Sequence, residues 1–120
     1  MVRDYERIVA WQRAHQLTLQ VYRSTESFPE KEKFGVTSQL RRAAYSVASN
    51  IVEGSARDST KEYLRFLSIA WGSLKETEYF LLLARDLGYL SPAEHTNLKE
   101  IVNQTFAPLR GLIKAVGKET

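Results

Sequence analysis

The sequence predicts an all-α protein, folded as an antiparallel up-down-up-down four-helix bundle. No segment alternates apolar and polar residues with a period of two, so β-strands are not expected. Prolines and glycines separate four stretches of apolar residues that recur with helical period. The chain has 120 residues, the ordinary size of one domain. We therefore interpret residues 1–120 as a single four-helix-bundle domain with short connections.

Proline and glycine define the first two predicted helices. Helix 1 is expected from about Glu6 to Thr25 and should end before Phe28-Pro29, because the residue before proline avoids the α conformation. Helix 2 is expected from about Thr37 to Glu53. Gly54 follows it and is typical of the left-handed residue that closes a helix.

Capping patterns define the last two helices. Ser59-Thr60-Lys61-Glu62 has the spacing of a capping box, in which a hydroxyl is followed three residues later by a carboxylate, and helix 3 should run from there to Gly88. Ser91-Pro92-Ala93-Glu94 combines the same spacing with proline at the first helical position. Helix 4 should continue to about Val116, with Pro108 as a point where it can bend.

Helix 3 has the clearest apolar period. Its expected core positions are spaced 4-3-4-3-4-3-4, which is typical of a bundle seam: Tyr63, Leu67, Ala70, Leu74, Thr77, Leu81, Ala84 and Gly88. Further apolar residues flank this seam on both sides, so the stripe is wider than one surface helix normally buries. Helix 3 is therefore either the central helix of the bundle or a helix that offers one flank to another subunit.

A polar stripe follows one side of helix 2. It contains Gln39, Arg42, Ser46, Ser49, Asn50 and Glu53. One interpretation is a solvated face. The other is a structural polar network of Ser46, Asn50, Glu53 and Gly54, in which Asn50 and Glu53 satisfy backbone groups near the Gly54 turn.

The sequence lacks the usual signatures of catalysis. There is no cysteine, and neither of the two histidines belongs to a Glu-x-x-His or His-Glu-x-x-His motif. No glycine-rich loop could cradle a phosphate. We predict a non-enzymatic protein without a metal or cofactor. A weaker alternative is a hydrolase at a subunit boundary that uses Glu53, Glu76 and His15.

Basic residues suggest a polyanionic partner. The formal net charge is +3, and Lys99, Arg110 and Lys114 share one narrow face of helix 4, with Lys118 a little further round. Arg41 and Arg42 form an adjacent pair on helix 2. These six residues are our candidate nucleic-acid-binding set; the alternative is a solvated face. An oligomer would repeat the set around its symmetry axis and sum its charge.

The expected location is the cytoplasm. The absence of cysteine fits a reducing compartment. The N-terminal stretch carries charges but no apolar region of a secretory signal. The longest uninterrupted apolar run, Tyr79 to Ala84, is too short to span a membrane, so no membrane association is expected.

Residues 39–54, QLRRAAYSVASNIVEG, closely resemble the signature of the four-helix-bundle proteins encoded in intervening sequences of bacterial 23S ribosomal RNA genes. Further pieces match in order: Val9 to Ala14, Phe28-Pro29 followed by Glu32, Leu67 to Glu76, and Leu87 to Leu90. The resemblance covers nearly the whole chain, although helix 4 matches only by pattern.

The resemblance implies an assembly more than an activity. Members of this family form antiparallel four-helix bundles that associate into rings, often pentamers. Relatives include the accessory variability proteins of diversity-generating retroelements, whose basic ring is thought to engage a reverse transcriptase and nucleic acid. Carried onto this chain, Arg41 and Arg42 match basic positions, while Ser46, Asn50, Glu53 and Gly54 match structural ones. The modest net charge departs from the strongly basic retroelement members.

Two functions follow as hypotheses. The first is a non-enzymatic, ring-forming homo-oligomer, with a pentamer favoured, that binds RNA or a ribonucleoprotein of the reverse-transcriptase type. The second is a structural oligomer that binds a protein partner and has no role with nucleic acid.

Overall fold

The structure is a computed structural model that describes residues 4–119, and within this range it contains helices and no strands. The four α-helices are α1 (Val9–Thr25), α2 (Val36–Ser55), α3 (Thr60–Asp86) and α4 (Pro92–Gly117). Short 3-10 turns lie at Tyr5–Arg7 and Glu30–Glu32. The prediction of an all-α, four-helix protein is confirmed.

Each helix packs beside its neighbour in the chain, and α4 also packs against α1. In the described residues no Cα atom of α2 lies within 8 Å of a Cα atom of α4, so the two helices occupy opposite corners of the bundle. Two contacts give the direction of α2 relative to α3: Ser46 of α2 contacts Ser73 of α3, and Arg42, one turn earlier in α2, lies 3.7 Å from Glu76, which comes later in α3. Because the later residue of α3 meets the earlier residue of α2, the two helices are antiparallel.

The core follows the predicted seam of α3. Seven of its eight positions are the buried residues of that helix, namely Tyr63, Leu67, Ala70, Leu74, Thr77, Leu81 and Ala84. Gly88, the eighth, is exposed because α3 has already ended at Asp86. The spacing therefore predicted correctly which side of α3 faces the other helices.

The starts of α3 and α4 use the predicted caps. Ser91 accepts a hydrogen bond from the Glu94 amide at 3.1 Å, and the Glu94 carboxylate accepts one from the Ser91 amide at 2.9 Å. At α3, Ser59 accepts from the Glu62 amide at 3.1 Å. The Glu62 carboxylate bonds with Arg65 at 3.1 Å, so one half of a capping box forms there.

Gly88 terminates α3 in a Schellman turn. Its φ is +81°, a conformation that glycine adopts without steric cost. The Tyr89 amide donates to the Ala84 carbonyl at 2.8 Å, and the Gly88 amide donates to the Arg85 carbonyl at 2.9 Å. These two bonds are those of the motif, and they turn the chain directly into α4.

The expected role of Gly54 is wrong. Helix α2 continues through Gly54 to Ser55, and among residues 4–119 positive φ occurs at Gly88. Gly54 is buried where α2 meets α3. A Cβ at this position would lie 2.9 Å from Cδ1 of Tyr63 and 3.0 Å from Cβ of Phe66. The residue is therefore small because two helices approach closely, not because the helix ends.

Two other boundaries differ in detail from the predictions. The first helix begins at Val9 instead of Glu6, because Ile8 has extended backbone angles and separates it from the turn at Tyr5–Arg7. Helix α4 includes Pro108 and continues to Gly117. No helix in the described part of the chain is long and apolar enough to cross a membrane.

Candidate nucleic-acid interface

Four exposed cations follow one side of α4. We name Lys99, Arg110, Lys114 and Lys118 the α4 basic row. At 1.5 Å per residue the row extends over about 28 Å. Within residues 4–119 no ion pair involves these side chains. Their charges are therefore available to a partner.

Beside this row, α3 and α4 enclose an apolar groove that we name the Trp71 groove. Its lining consists of Leu64, Ser68, Trp71, Arg110, Ile113 and Lys114, and its volume is about 520 Å³. The Arg110 guanidinium lies 5.2 Å from the centre of the Trp71 ring, and Phe106 packs edge-on against that ring at 4.9 Å. The groove thus has an aromatic and aliphatic floor with two cations at its rim.

A second depression lies further along the same helix pair, and we name it the His95 cleft. Its volume is about 330 Å³, and its lining consists of Lys75, Glu78, Tyr79, Leu81, Leu82, Arg85, His95, Lys99 and Val102. The His95 side chain is 7% exposed. Burial lowers its pKa, and the positive charges of Arg85 and Lys99 lower it further, whereas Asp86 raises it.

Lys75 lines the His95 cleft and approaches Phe106, the ring that packs on Trp71. Its ammonium group is 4.9 Å from the centre of the Phe106 ring and 3.7 Å from the Glu78 carboxylate. Cations and aromatic rings therefore alternate along the junction of α3 and α4. This combination can hold phosphates by charge and bases by stacking.

Arg41 and Arg42 lie elsewhere, on the helix diagonally opposite α4. The Arg41 Nε donates to Thr25 Oγ1 at 2.8 Å, and its guanidinium stacks over Tyr22 at 4.6 Å. Arg41 thus ties α2 to the end of α1. Arg42 is exposed, 3.7 Å from Glu76 and 3.4 Å from the Gln39 side chain. The six predicted nucleic-acid-binding residues therefore fall into two regions.

The polar stripe of α2 lies against α3 at its centre. Asn50 Nδ2 donates to the carbonyl and the hydroxyl of Ser46 at 2.8 and 3.0 Å, and the Ser46 hydroxyl contacts that of Ser73 at 2.9 Å. Asn50 thus bonds one turn back along α2. The expected satisfaction of backbone groups at a Gly54 turn does not occur, because α2 continues through Gly54. Glu53 is exposed.

Within one subunit, the three side chains of the alternative hydrolase site lie apart, and its expected position at a subunit boundary stays a prediction. The His15 ring stacks on Trp11 at 5.0 Å on α1, while Glu76 lies on α3 beside Arg42. In the described residues no Cα atom of α1 lies within 8 Å of a Cα atom of α3. Glu53 lies near the end of α2. Nor does any group of three or more His, Cys, Asp or Glu residues within 4–119 have the arrangement to hold a metal ion.

The chain is similar to proteins of a known family. The family described as 23S rRNA-intervening sequence protein matches residues 6–111. The chain belongs to this family. A solved structure from Bacteroides thetaiotaomicron, described as a protein with unknown function from the S23 ribosomal protein family, aligns with a TM-score of 0.80 at 21% identity, covering 88% of this chain and 96% of the other. That likeness supports the fold alone. Comparison with curated proteins gave no match.

In this member of the 23S rRNA-intervening sequence protein family, the sequence analysis did not find the α3 half of the candidate interface. Trp71, Lys75 and Tyr79 recur every four residues and so form one stripe of α3. This spacing was a readable signal, but it lay beside the stronger core period of the same helix. Arg85 and His95 could not be paired from sequence, since their proximity depends on the register between α3 and α4.

Proposed function

We propose that this member of the 23S rRNA-intervening sequence protein family is a non-enzymatic, ring-forming homo-oligomer of the cytoplasm that binds RNA or a ribonucleoprotein, with a pentamer as the favoured assembly. The observation that carries the RNA proposal is the α4 basic row, whose cations have no ion-pair partner in residues 4–119 and of which Arg110 and Lys114 border an aromatic groove. The ring and its pentameric form are supported by the resemblance to ring-forming members of the family, which the sequence analysis describes.

The α4 basic row suits the phosphate backbone. Lys and Arg side chains that neutralise phosphates release condensed counterions, and this release makes binding strong at low salt and weak at high salt. One subunit carries a net charge of only +3, whereas a pentamer would carry about +15. Repetition around a ring therefore supplies the charge that the single chain lacks.

The Trp71 groove suits unpaired bases. A base that lies against an aromatic side chain contributes about 1–3 kcal/mol whatever its sequence. Arg110 and Lys114 stand at the rim, where they can pair with the phosphates on either side of such a base. We therefore favour single-stranded RNA over duplex. Arg41 is not part of the proposed RNA-binding surface, because its guanidinium is hydrogen-bonded to α1. Arg42 is exposed but lies on α2, away from the α4 basic row.

The second candidate is a structural oligomer that binds a protein. It is favoured by the outer side of α3, where Ile69, Tyr79 and Leu82 are exposed apolar residues. Gly72 lies on the same side, and a Cβ there would meet no atom within 4 Å. Such a face is suited to another protein surface. Capture of a specific partner that survives nuclease treatment, without measurable RNA binding, would favour this candidate over the first.

The decisive experiment measures RNA affinity as a function of salt. The double variant Arg110→Glu/Lys114→Glu should bind a single-stranded RNA at least ten-fold more weakly than the wild type and with a shallower salt dependence. The matched control is Lys31→Glu/Lys61→Glu, which changes the net charge equally at exposed positions outside the interface. Loss of affinity in both variants alike, or wild-type binding no tighter than that of a neutral protein, would refute the RNA proposal.

The oligomer is tested separately by native mass measurement. A ring should appear as one discrete multiple of the subunit mass at micromolar concentration. A strictly monomeric mass would remove both the ring and the summed charge on which the RNA proposal depends.

A further inference from the structure

The His95 cleft contains a buried imidazole that the rest of the fold does not use. The residue is 7% exposed and forms part of the lining of a cavity of about 330 Å³. Its ring nitrogens are not among the fully buried, unbonded side-chain atoms of the described residues, so they keep access to the cavity. An imidazole has two ring nitrogens that can bond a ligand that enters there.

Cations from both helices line the cavity together with this imidazole. From α3 come Lys75 and Arg85, and from α4 comes Lys99. Two of them have acidic neighbours: Lys75 lies 3.7 Å from Glu78, and Arg85 lies 3.0 Å from Asp86. Lys75, Arg85 and Asp86 are exposed and Glu78 is half-buried, so solvent weakens both pairs and a ligand can compete for the cations. Glu100 lines only the outer part of the depression.

The rim of the cleft adds two features. Tyr79 is 55% exposed, so its ring is available as a flat surface at the entrance. Asn103 and Thr96 line the adjoining outer depression together with Arg85 and Lys99. The cleft thus combines cationic donors, a buried imidazole and an exposed aromatic ring within one cavity.

We propose that the His95 cleft is a binding site for a phosphomonoester group, with the attached nucleoside resting on Tyr79. Lys99 and Arg85 hold the phosphate oxygens, Arg through its planar fork and Lys as a point charge. The imidazole of His95 donates a further hydrogen bond from inside the cavity. All residues of the site come from one subunit, so the site does not depend on the proposed ring.

The phosphate group could belong to a free mononucleotide or to the 5′ end of an RNA chain. Both present the same dianionic phosphomonoester. The experiment therefore uses adenosine 5′-monophosphate, inorganic phosphate, adenosine, and a short RNA with either a 5′ phosphate or a 5′ hydroxyl.

The readout is the imidazole NMR signal of His95 during titration of the full chain. The chain has two histidines, and His15 on α1 serves as the internal control. A bound phosphate should shift the His95 signal in a saturable way and raise its pKa, because a negative charge offsets the field of Arg85 and Lys99. His15 should not respond, and adenosine should have no effect.

Variants assign the response to the cleft. His95→Gln and Lys99→Glu should each weaken binding of adenosine 5′-monophosphate at least ten-fold, whereas the charge-matched control Lys61→Glu should leave it within two-fold. Lys99 is exposed, so its variant keeps the test valid if His95→Gln fails to fold. The 5′-phosphorylated RNA binding more tightly than the mononucleotide identifies an RNA end as the source; equal or weaker binding identifies the free nucleotide.

The two proposals fail in different ways. If neither phosphate nor adenosine 5′-monophosphate moves the His95 signal, or if adenosine binds equally well, the phosphomonoester site is refuted even when RNA binds the α4 basic row. If the mononucleotide binds while RNA shows no salt-dependent affinity, the site stands and the RNA function falls.

Discussion

Replacing Gly54 with alanine should destabilise the bundle, although alanine is the better helix former. Inside a helix the exchange alone is worth about 1 kcal/mol in favour of alanine. At Gly54 the new Cβ would lie 2.9 Å from Cδ1 of Tyr63 and 3.0 Å from Cβ of Phe66. Carbon atoms pack at about 3.5–4.0 Å, so α2, α3 or the Tyr63 ring must move.

The ring of Tyr63 has little room to move, since the residue is fully buried. Overpacking of a core costs about 1–3 kcal/mol. Once the gain in helix propensity is subtracted, Gly54→Ala should lower the free energy of unfolding by about 1 kcal/mol. For a domain of this size that loss lowers the Tm by about 4 °C.

Gly111→Ala is the matched control for this substitution. Gly111 also lies inside a helix, and a Cβ there would meet no atom within 4 Å. The variant should therefore gain about 0.5–1 kcal/mol. Both variants are measured by urea unfolding followed by circular dichroism at equal protein concentration, because an oligomer makes stability depend on concentration. A Gly54→Ala protein as stable as Gly111→Ala would refute the close approach of α2 and α3.

Further predictions concern the other links between elements. Arg41→Ala should lower the free energy of unfolding by about 1 kcal/mol, because the variant loses the hydrogen bonds that join α2 to α1. Arg42→Ala should stay within about 0.5 kcal/mol of the wild type in the same urea assay, because it loses only an exposed ion pair. Tyr89→Phe should make the free energy of unfolding fall less steeply at acid pH. The Tyr89 hydroxyl donates to the Glu32 carboxylate at 2.6 Å and lowers the pKa of that carboxyl below its ordinary 4.5. This hydrogen bond therefore stabilises the fold above pH 4.5, and its contribution is lost as the pH falls through the lowered pKa. Unfolding measured from pH 6 to pH 3 tests this, and equal acid slopes would contradict it. Ser91→Ala should cost about 1 kcal/mol by removing the α4 cap; a thermal melt unchanged by the substitution would show that the cap is dispensable.

The sequence was most informative where one helix determines the answer. The spacing of Tyr63, Leu67 and their successors identified the buried side of α3, and the serine and glutamate at the start of α4 identified its cap. Such features depend on residues within one or two turns of each other. Local pattern is therefore sufficient to find them.

Features that depend on two helices were harder to predict. Gly54 has the same appearance in sequence whether it ends a helix or admits a neighbouring one, and only the position of Tyr63 distinguishes the two. Arg41 and Arg42 are adjacent in sequence, yet one contacts α1 and the other Glu76 on α3, because successive helical residues point about 100° apart. The His95 cleft requires the register of α3 against α4, which no single helix encodes.

The diagonal placement of α2 and α4 has a consequence for how the chain folds. Three of the four helix contacts join neighbours in sequence, and only the contact between α1 and α4 closes a long loop. Bundles rich in such local contacts fold within microseconds to milliseconds. We expect successive helical hairpins to form first and α4 to close onto α1 last, so that substitutions at this final seam accelerate unfolding and leave the folding rate nearly unchanged.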